Sequence, residues 1–100
     1  MDRPAAVPDP APVSKEPGSL LARRLGAAVV AKRRLLGLSQ EQLAARAGLH
    51  RTYLAGVEGG KRNPSLEALG QIAAGLAVPL SELFRLTEAM NEDPPAERGQ

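Results

Sequence analysis

The chain has 100 residues, 13 Lys/Arg against 11 Asp/Glu, and no cysteine. That length allows one small domain, and the missing thiols exclude disulfides and thiolate metal sites. No apolar run approaches the roughly 20 residues of a membrane span. The start of the chain, with Asp2, Asp9 and several prolines, lacks the apolar stretch of a signal peptide. The expected location is the cytoplasm, in association with the nucleoid.

Charge is unevenly placed. Ser19 to Leu86 holds ten Lys/Arg against four Glu, residues 1–18 hold two positive and three negative charges, and residues 87–100 hold one and four. A basic middle between acidic ends suits a polyanionic ligand. It equally suits an ordinary solvated surface, and charge alone does not separate the two.

Residues 1–18 carry five prolines and almost no large apolar side chain, which predicts a disordered, Pro-rich extended arm. A helix is expected from Ser19, with Leu21, Leu25, Val29 and Leu36 recurring near helical spacing. Arg23, Arg24, Lys32, Arg33 and Arg34 fall mostly elsewhere on its surface, and Gly37 ends it.

Ser39-Gln40-Glu41-Gln42 has the form of a capping box, with Leu38 and Leu43 spaced as a hydrophobic staple. The helix it opens should run to about Ala47, where Gly48 supplies a sharp turn. A third helix is expected from His50 or Arg51 to Glu58, stopped by Gly59-Gly60. Pro64-Ser65 opens a fourth, with Leu66, Leu69, Ile72, Ala73 and Leu76 as its apolar face. Pro79 starts a fifth, ending near Thr87 or a few residues later.

No segment alternates with period two, so no strand is expected. The fold class is all-α, a five-helix domain over residues 19–87, followed by an acidic, disordered tail over residues 88–100. One Tyr and one Phe leave an Ala/Leu core, adequate for about 65–70 residues.

Residues 40–59, QEQLAARAGLHRTYLAGVEG, read as two short helices joined by a glycine turn. One such helix can lie across DNA while the second enters the major groove. Residues 25–84 resemble the phage-repressor-type (XRE, lambda-repressor-like) helix-turn-helix domain. The resemblance is carried in register by LSQEQLA, the Ala44–Gly48 spacing, the GKRNPS loop and the closing IAAGLAVPLSELF. HRTYLAGVEGGKRNPS is also similar to the controller proteins of restriction–modification systems, from which the 18-residue arm sets this chain apart.

The resemblance implies roles residue by residue. Arg51 and Thr52 match positions that meet base edges, and an Arg there can bind guanine O6 and N7 together. Ala55 and Gly56 complete the base-facing stretch with almost no side chain to read with. Gly56 and Gly59 both depart from the family's usual choice of longer residues. Gln40 matches a phosphate-binding position at a helix start. Tyr53 matches a position that either packs the helix or touches phosphate. His50 reads as a helix cap or a phosphate neighbour. Lys61, Arg62, Asn63 and Ser65 match the loop that holds the DNA backbone. The family counterpart of Glu58 pairs with an Arg on helix 1, and Arg33 matches that position.

The function expected is a sequence-specific transcriptional regulator, in the manner of a repressor, binding double-stranded DNA. It would act as a homodimer on a palindromic operator. Leu80, Phe84 and Leu86 are the candidate dimer surface, with plain core packing the alternative for Phe84. With so few base-reading side chains, DNA shape and phosphate contacts should carry much of the specificity. The rival reading is an antitoxin-like or adaptor protein whose arm binds a partner protein. Catalysis is not expected. There is one His, no cluster of metal ligands and no glycine-rich phosphate loop after a strand, so no cofactor and no metal are implied.

Overall fold

The computed structural model describes residues 19–90. The expected arm, residues 1–18, and the last ten residues of the expected tail lie outside the described residues. Five helices follow one another: α1 (Leu20–Leu35), α2 (Gln40–Ala47), α3 (Arg51–Glu58), α4 (Leu66–Gly75) and α5 (Leu80–Ala89). No strand occurs among the described residues. α1 packs against α5 and α3, and α2 against α4 and α3, so α3 is held between the two pairs.

Side-chain caps place the helix starts. The Ser19 hydroxyl accepts from the Ala22 amide at 3.1 Å, and the Ser65 hydroxyl from the Ala68 amide at 3.0 Å. At α2 the capping box is complete. The Gln42 amide donates to Ser39 Oγ at 3.0 Å, and the Ser39 amide donates to Gln42 Oε1 at 2.8 Å. Two amides that a helix start leaves without partners are thereby satisfied. Leu38 packs on the core cluster that contains Leu43, as a staple requires. Gly48 closes α2 at φ 73°, a left-handed conformation that costs glycine little. From α4, Gln71 Nε2 reaches across to donate to the Ala47 carbonyl at 2.9 Å, satisfying an acceptor at the end of α2.

The core is Leu43, Leu54, Val57, Ile72, Leu76 and Leu83 around Val29, all fully buried. Helix 1 departs from the expected leucine stripe. Leu25 and Val29 are buried, but Leu21 is 65% exposed and Leu36 is 40% exposed. The inward face is instead Ala22, Leu25, Gly26, Ala28, Val29 and Arg33. Small residues face inward because α1 crosses its neighbours closely. On α4, Leu66 is likewise exposed, and Ala68 faces inward in its place.

The closest approach is at Gly26. A Cβ there would collide with the Glu58 carbonyl and sit 2.6 Å from that of Val57. Gly60 makes the matching contact, where a Cβ would lie 3.1 Å from the Arg23 Cα. Thus α1 clamps the last turn of α3 backbone against backbone.

A buried polar network fixes the same end of α3. Arg33, which spacing groups with the surface basic residues and the resemblance pairs with Glu58, lies in the interior. Its Nε donates to Glu58 Oε2 at 2.7 Å and its Nη2 to Glu58 Oε1 at 2.9 Å. The two side chains are only 11% and 4% exposed. Arg33 Nη1 also donates to the Leu38 carbonyl at 2.9 Å, and Gln40 Nε2 donates to Glu58 Oε1 at 2.9 Å. The Glu58 carboxylate therefore ties α1, α2 and α3 together, and Arg33 adds the turn before α2.

Gly26→Ala should cost about 1–3 kcal/mol through overpacking, seen as a lower urea midpoint at unchanged m-value. Glu58→Ala should cost about 3–5 kcal/mol, because it leaves the Arg33 guanidinium buried without its counter-charge. Replacing both partners, Arg33→Met with Glu58→Leu, should recover most of that loss. A single-variant loss near zero would contradict the network's role.

Candidate nucleic-acid interface

Helix α3 turns two different faces to its surroundings. Leu54 and Val57 are fully buried, which sets the rotation of the helix about its axis. That rotation leaves Arg51 and Thr52 exposed on the first turn and Ala55 and Gly56 half-exposed behind them. The spacing is that of a helix with one apolar stripe. The exposed stripe contains the four residues expected to face bases.

The start of α3 is open. His50 occupies the cap position, but its side chain makes no capping hydrogen bond and is exposed. The amides of the first turn therefore lack a side-chain acceptor at the cap. Such amides, with the positive end of the helix dipole, favour an anion. Arg51 sits at the same place and adds a full charge.

The loop after α3 supplies the second group. Lys61, Arg62 and Asn63 are all exposed, and Ser65 follows at the start of α4. The loop returns toward α3 because the Lys61 amide donates to the Gly56 carbonyl at 2.8 Å. The Ser65 hydroxyl accepts from the Ala68 amide, which leaves its own proton free to donate outward. These residues and the first turn of α3 form a basic rim without a facing acidic side chain on α3 itself, since Glu58 is turned inward.

Two side chains of this surface are engaged within the domain, Tyr53 in the packing role that was one of its two expected alternatives. The Gln40 amide nitrogen is engaged by Glu58, so at the start of α2 only its carbonyl oxygen and the backbone amides remain for other contacts. Tyr53 is half-buried and packs against the core, while the Arg62 guanidinium lies over its ring at 5.0 Å. The stack is within cation–π distance. Tyr53 also lines a shallow concavity together with Gly48, Leu49, His50, Ser65, Glu67, Ala68 and Gln71.

On α5, Leu83 fills the core position. Phe84 is 41% exposed and is not a core residue, while Leu80 and Leu86 are half-buried. Nearby, Arg85 donates to Glu82 from Nε at 2.9 Å and from Nη2 at 2.7 Å. The Arg85 hydrogen bonds hold the Glu82 carboxyl below its ordinary pKa. Among the described residues there is no cluster of His, Cys, Asp or Glu that could hold a metal ion. No helix among them is long and apolar enough to cross a membrane.

Known proteins share this arrangement. The helix-turn-helix family model of the XRE type matches residues 29–83. Control protein C.MunI from a Mycoplasma species is 57% identical over 47 residues, 47% of this chain and 64% of that relative. The match thus spans somewhat less than two thirds of that relative's length. Control protein C.BamHI from Bacillus amyloliquefaciens is 41% identical over 54 residues, 54% of this chain and 67% of the relative. The crystal structure of the restriction-modification controller protein C.AhdI from Aeromonas hydrophila superposes with a TM-score of 0.62 at 41% identity. That match covers 63% of this chain and 96% of C.AhdI. These relatives are controller proteins and not enzymes. By the family match and the shared helical frame, the chain belongs to the XRE-type helix-turn-helix family of DNA-binding transcriptional regulators.

Proposed function

We propose that the protein binds a palindromic operator as a homodimer, with α3 of each copy in the major groove of one half-site. The observation that carries this reading is the division of α3. Its fully buried Leu54 and Val57 lock the helix to the domain, while Arg51 and Thr52 project from the opposite side at its open N-terminal end. A recognition helix contacts base edges through its N-terminal residues.

Each contact has a definite job in this reading. Arg51 offers two parallel N–H groups to guanine O6 and N7, and Thr52 offers a hydroxyl and a methyl group to the neighbouring base. His50, Lys61, Asn63 and Ser65 donate to phosphates on the flanking backbone, which fixes register but reads no sequence. Backbone amides at the start of α2 supply a further phosphate contact beside Gln40. Ala55 contributes little but a methyl surface, so direct readout is narrow. Specificity then draws on the shape and deformability of the operator as well as on base contacts.

One copy spans about one half-site, so two copies are needed to place recognition helices about 34 Å apart. Phe84, with Leu80 and Leu86, provides the apolar self-complementary patch on α5 that a two-fold dimer needs. The exposed Leu35 and Leu36 at the end of α1 add further apolar surface available for such a contact.

Arg51→Ala should abolish preference for the operator over scrambled DNA while weakening binding to scrambled DNA only modestly. Equal loss on both duplexes, measured by fluorescence anisotropy, would refute base readout by this residue. Phe84→Asp should shift the protein to monomers in sedimentation velocity and lower operator affinity. An unchanged dimer would remove Phe84 from the interface.

A further inference from the structure

The glycines of this chain answer to different demands. Gly37, Gly48 and Gly60 have positive φ, and Gly26 and Gly75 sit against neighbouring atoms too close for a Cβ. Gly56 is of another kind. Its φ lies outside the left-handed region, so its backbone would accept alanine without strain. It is the sixth residue of an eight-residue helix, where glycine is a poor choice. What occupies the missing Cβ's space is one flexible side chain. A Cβ at position 56 would lie 3.0 Å from Arg62 Cγ and Nε and 3.1 Å from Cδ.

Arg62 therefore lies along α3 while its outer side stays exposed to solvent. The chain reverses after Gly60, and the bond from the Lys61 amide to the Gly56 carbonyl brings the loop back over the helix. From there the Arg62 stem crosses Gly56 and its guanidinium rests over the Tyr53 ring at 5.0 Å. Gly56 and Tyr53 are three residues apart, hence neighbours on one helix face. Among the described residues Arg62 makes no hydrogen bond or ion pair, so its N–H groups stay open to a ligand.

We propose that Gly56 is a specificity-determining positioning residue: its missing side chain is the seat that lays Arg62 along α3 and aims it at base edges. In effect Arg62 is the long side chain that α3 lacks at position 56. It adds a second planar donor, suited to guanine O6 and N7, beside the one at Arg51. Tyr53 then acts as the platform under the guanidinium. The inference rests on the reading of α3 as the major-groove helix. It replaces a phosphate role for Arg62 with a base-facing one.

The test uses the full chain and two probes, a duplex selected from a random library and the same duplex with its site scrambled. Gly56→Ala should keep or raise the melting temperature, because alanine is the better helix former. It should lower the preference for the selected duplex roughly tenfold or more, the scale of losing one bidentate base contact. Arg62→Ala should lose as much, and the double variant no more than either single one. Arg62→Lys, which keeps the charge and the fold but not the planar fork, should also lose the preference.

Full preference in Gly56→Ala or in Arg62→Lys would overturn the proposal. So would equal loss on both duplexes, which would return Arg62 to a phosphate role, or additive losses in the double variant. Arg51→Ala separates the two levels of the argument. If it abolishes preference while Gly56→Ala does not, only the seat fails. If neither variant changes preference, the major-groove reading of α3 fails with it.

Discussion

Glu58 places a carboxylate, 4% exposed, where Arg33 of α1 and Gln40 of α2 both donate to it. Removing such a charge from water costs several kcal/mol, and that cost is tolerated only when the geometry is good and the remaining lone pairs are used. Here both oxygens accept from the Arg33 fork and one accepts again from Gln40. The arrangement contributes direction more than stability, since apolar groups of similar size would fill the same space. It turns α3 to one angle relative to α1 and α2. The backbone contact at Gly26 sets the depth of the same helix end.

The exposed chemistry depends on that fixed end. With the C-terminal turn of α3 held by Glu58 and the middle by Leu54 and Val57, the N-terminal turn projects Arg51 and Thr52 from a rigid base. Sites on helices that are locked by packing and by hydrogen bonds hold their geometry better than sites on loops. The loop that follows is drawn onto the same face by the Lys61–Gly56 bond, so the second set of basic groups is not an independent arm. In the proposed complex its charge and that of α3 would act on one stretch of polyanion, coupling phosphate attraction to base reading.

Much of the fold was legible in the sequence, and the unread parts share a cause. Ser39, Gln42 and Gly48 act on their own neighbours, so the capping box and the turn could be read without tertiary knowledge. Helix 1 misled because leucines mark a core only when packing is loose enough to hold them. Its close crossings select Ala22, Gly26 and Ala28, while Leu21 and Leu36 remain outside. The Gln71–Ala47 bond and the Gly26 contact join residues 24 and 32 positions apart, and no local pattern encodes them. At the interface, Arg51 and Thr52 could be placed on the outer stripe from periodicity and family likeness. The bond of Gln40 to Glu58 depends on how α2 meets α3, and the return of Arg62 onto Tyr53 on how the loop closes, neither of which sequence spacing reports. Gly56 stood out in the sequence as a departure from the family's longer residues, and the Arg62 stem beside it became visible only with the loop in place.

The central claim is that two copies of α3, each braced by Glu58, read a two-fold symmetric DNA site. Selection of bound duplexes from a random library by the purified full chain tests it most directly, since it reports site, symmetry and spacing together. The account predicts enrichment of an inverted repeat whose half-sites lie about one helical turn, 10–10.5 base pairs, apart. Failure to enrich any sequence at moderate salt, or enrichment of a single unrepeated site, would contradict it.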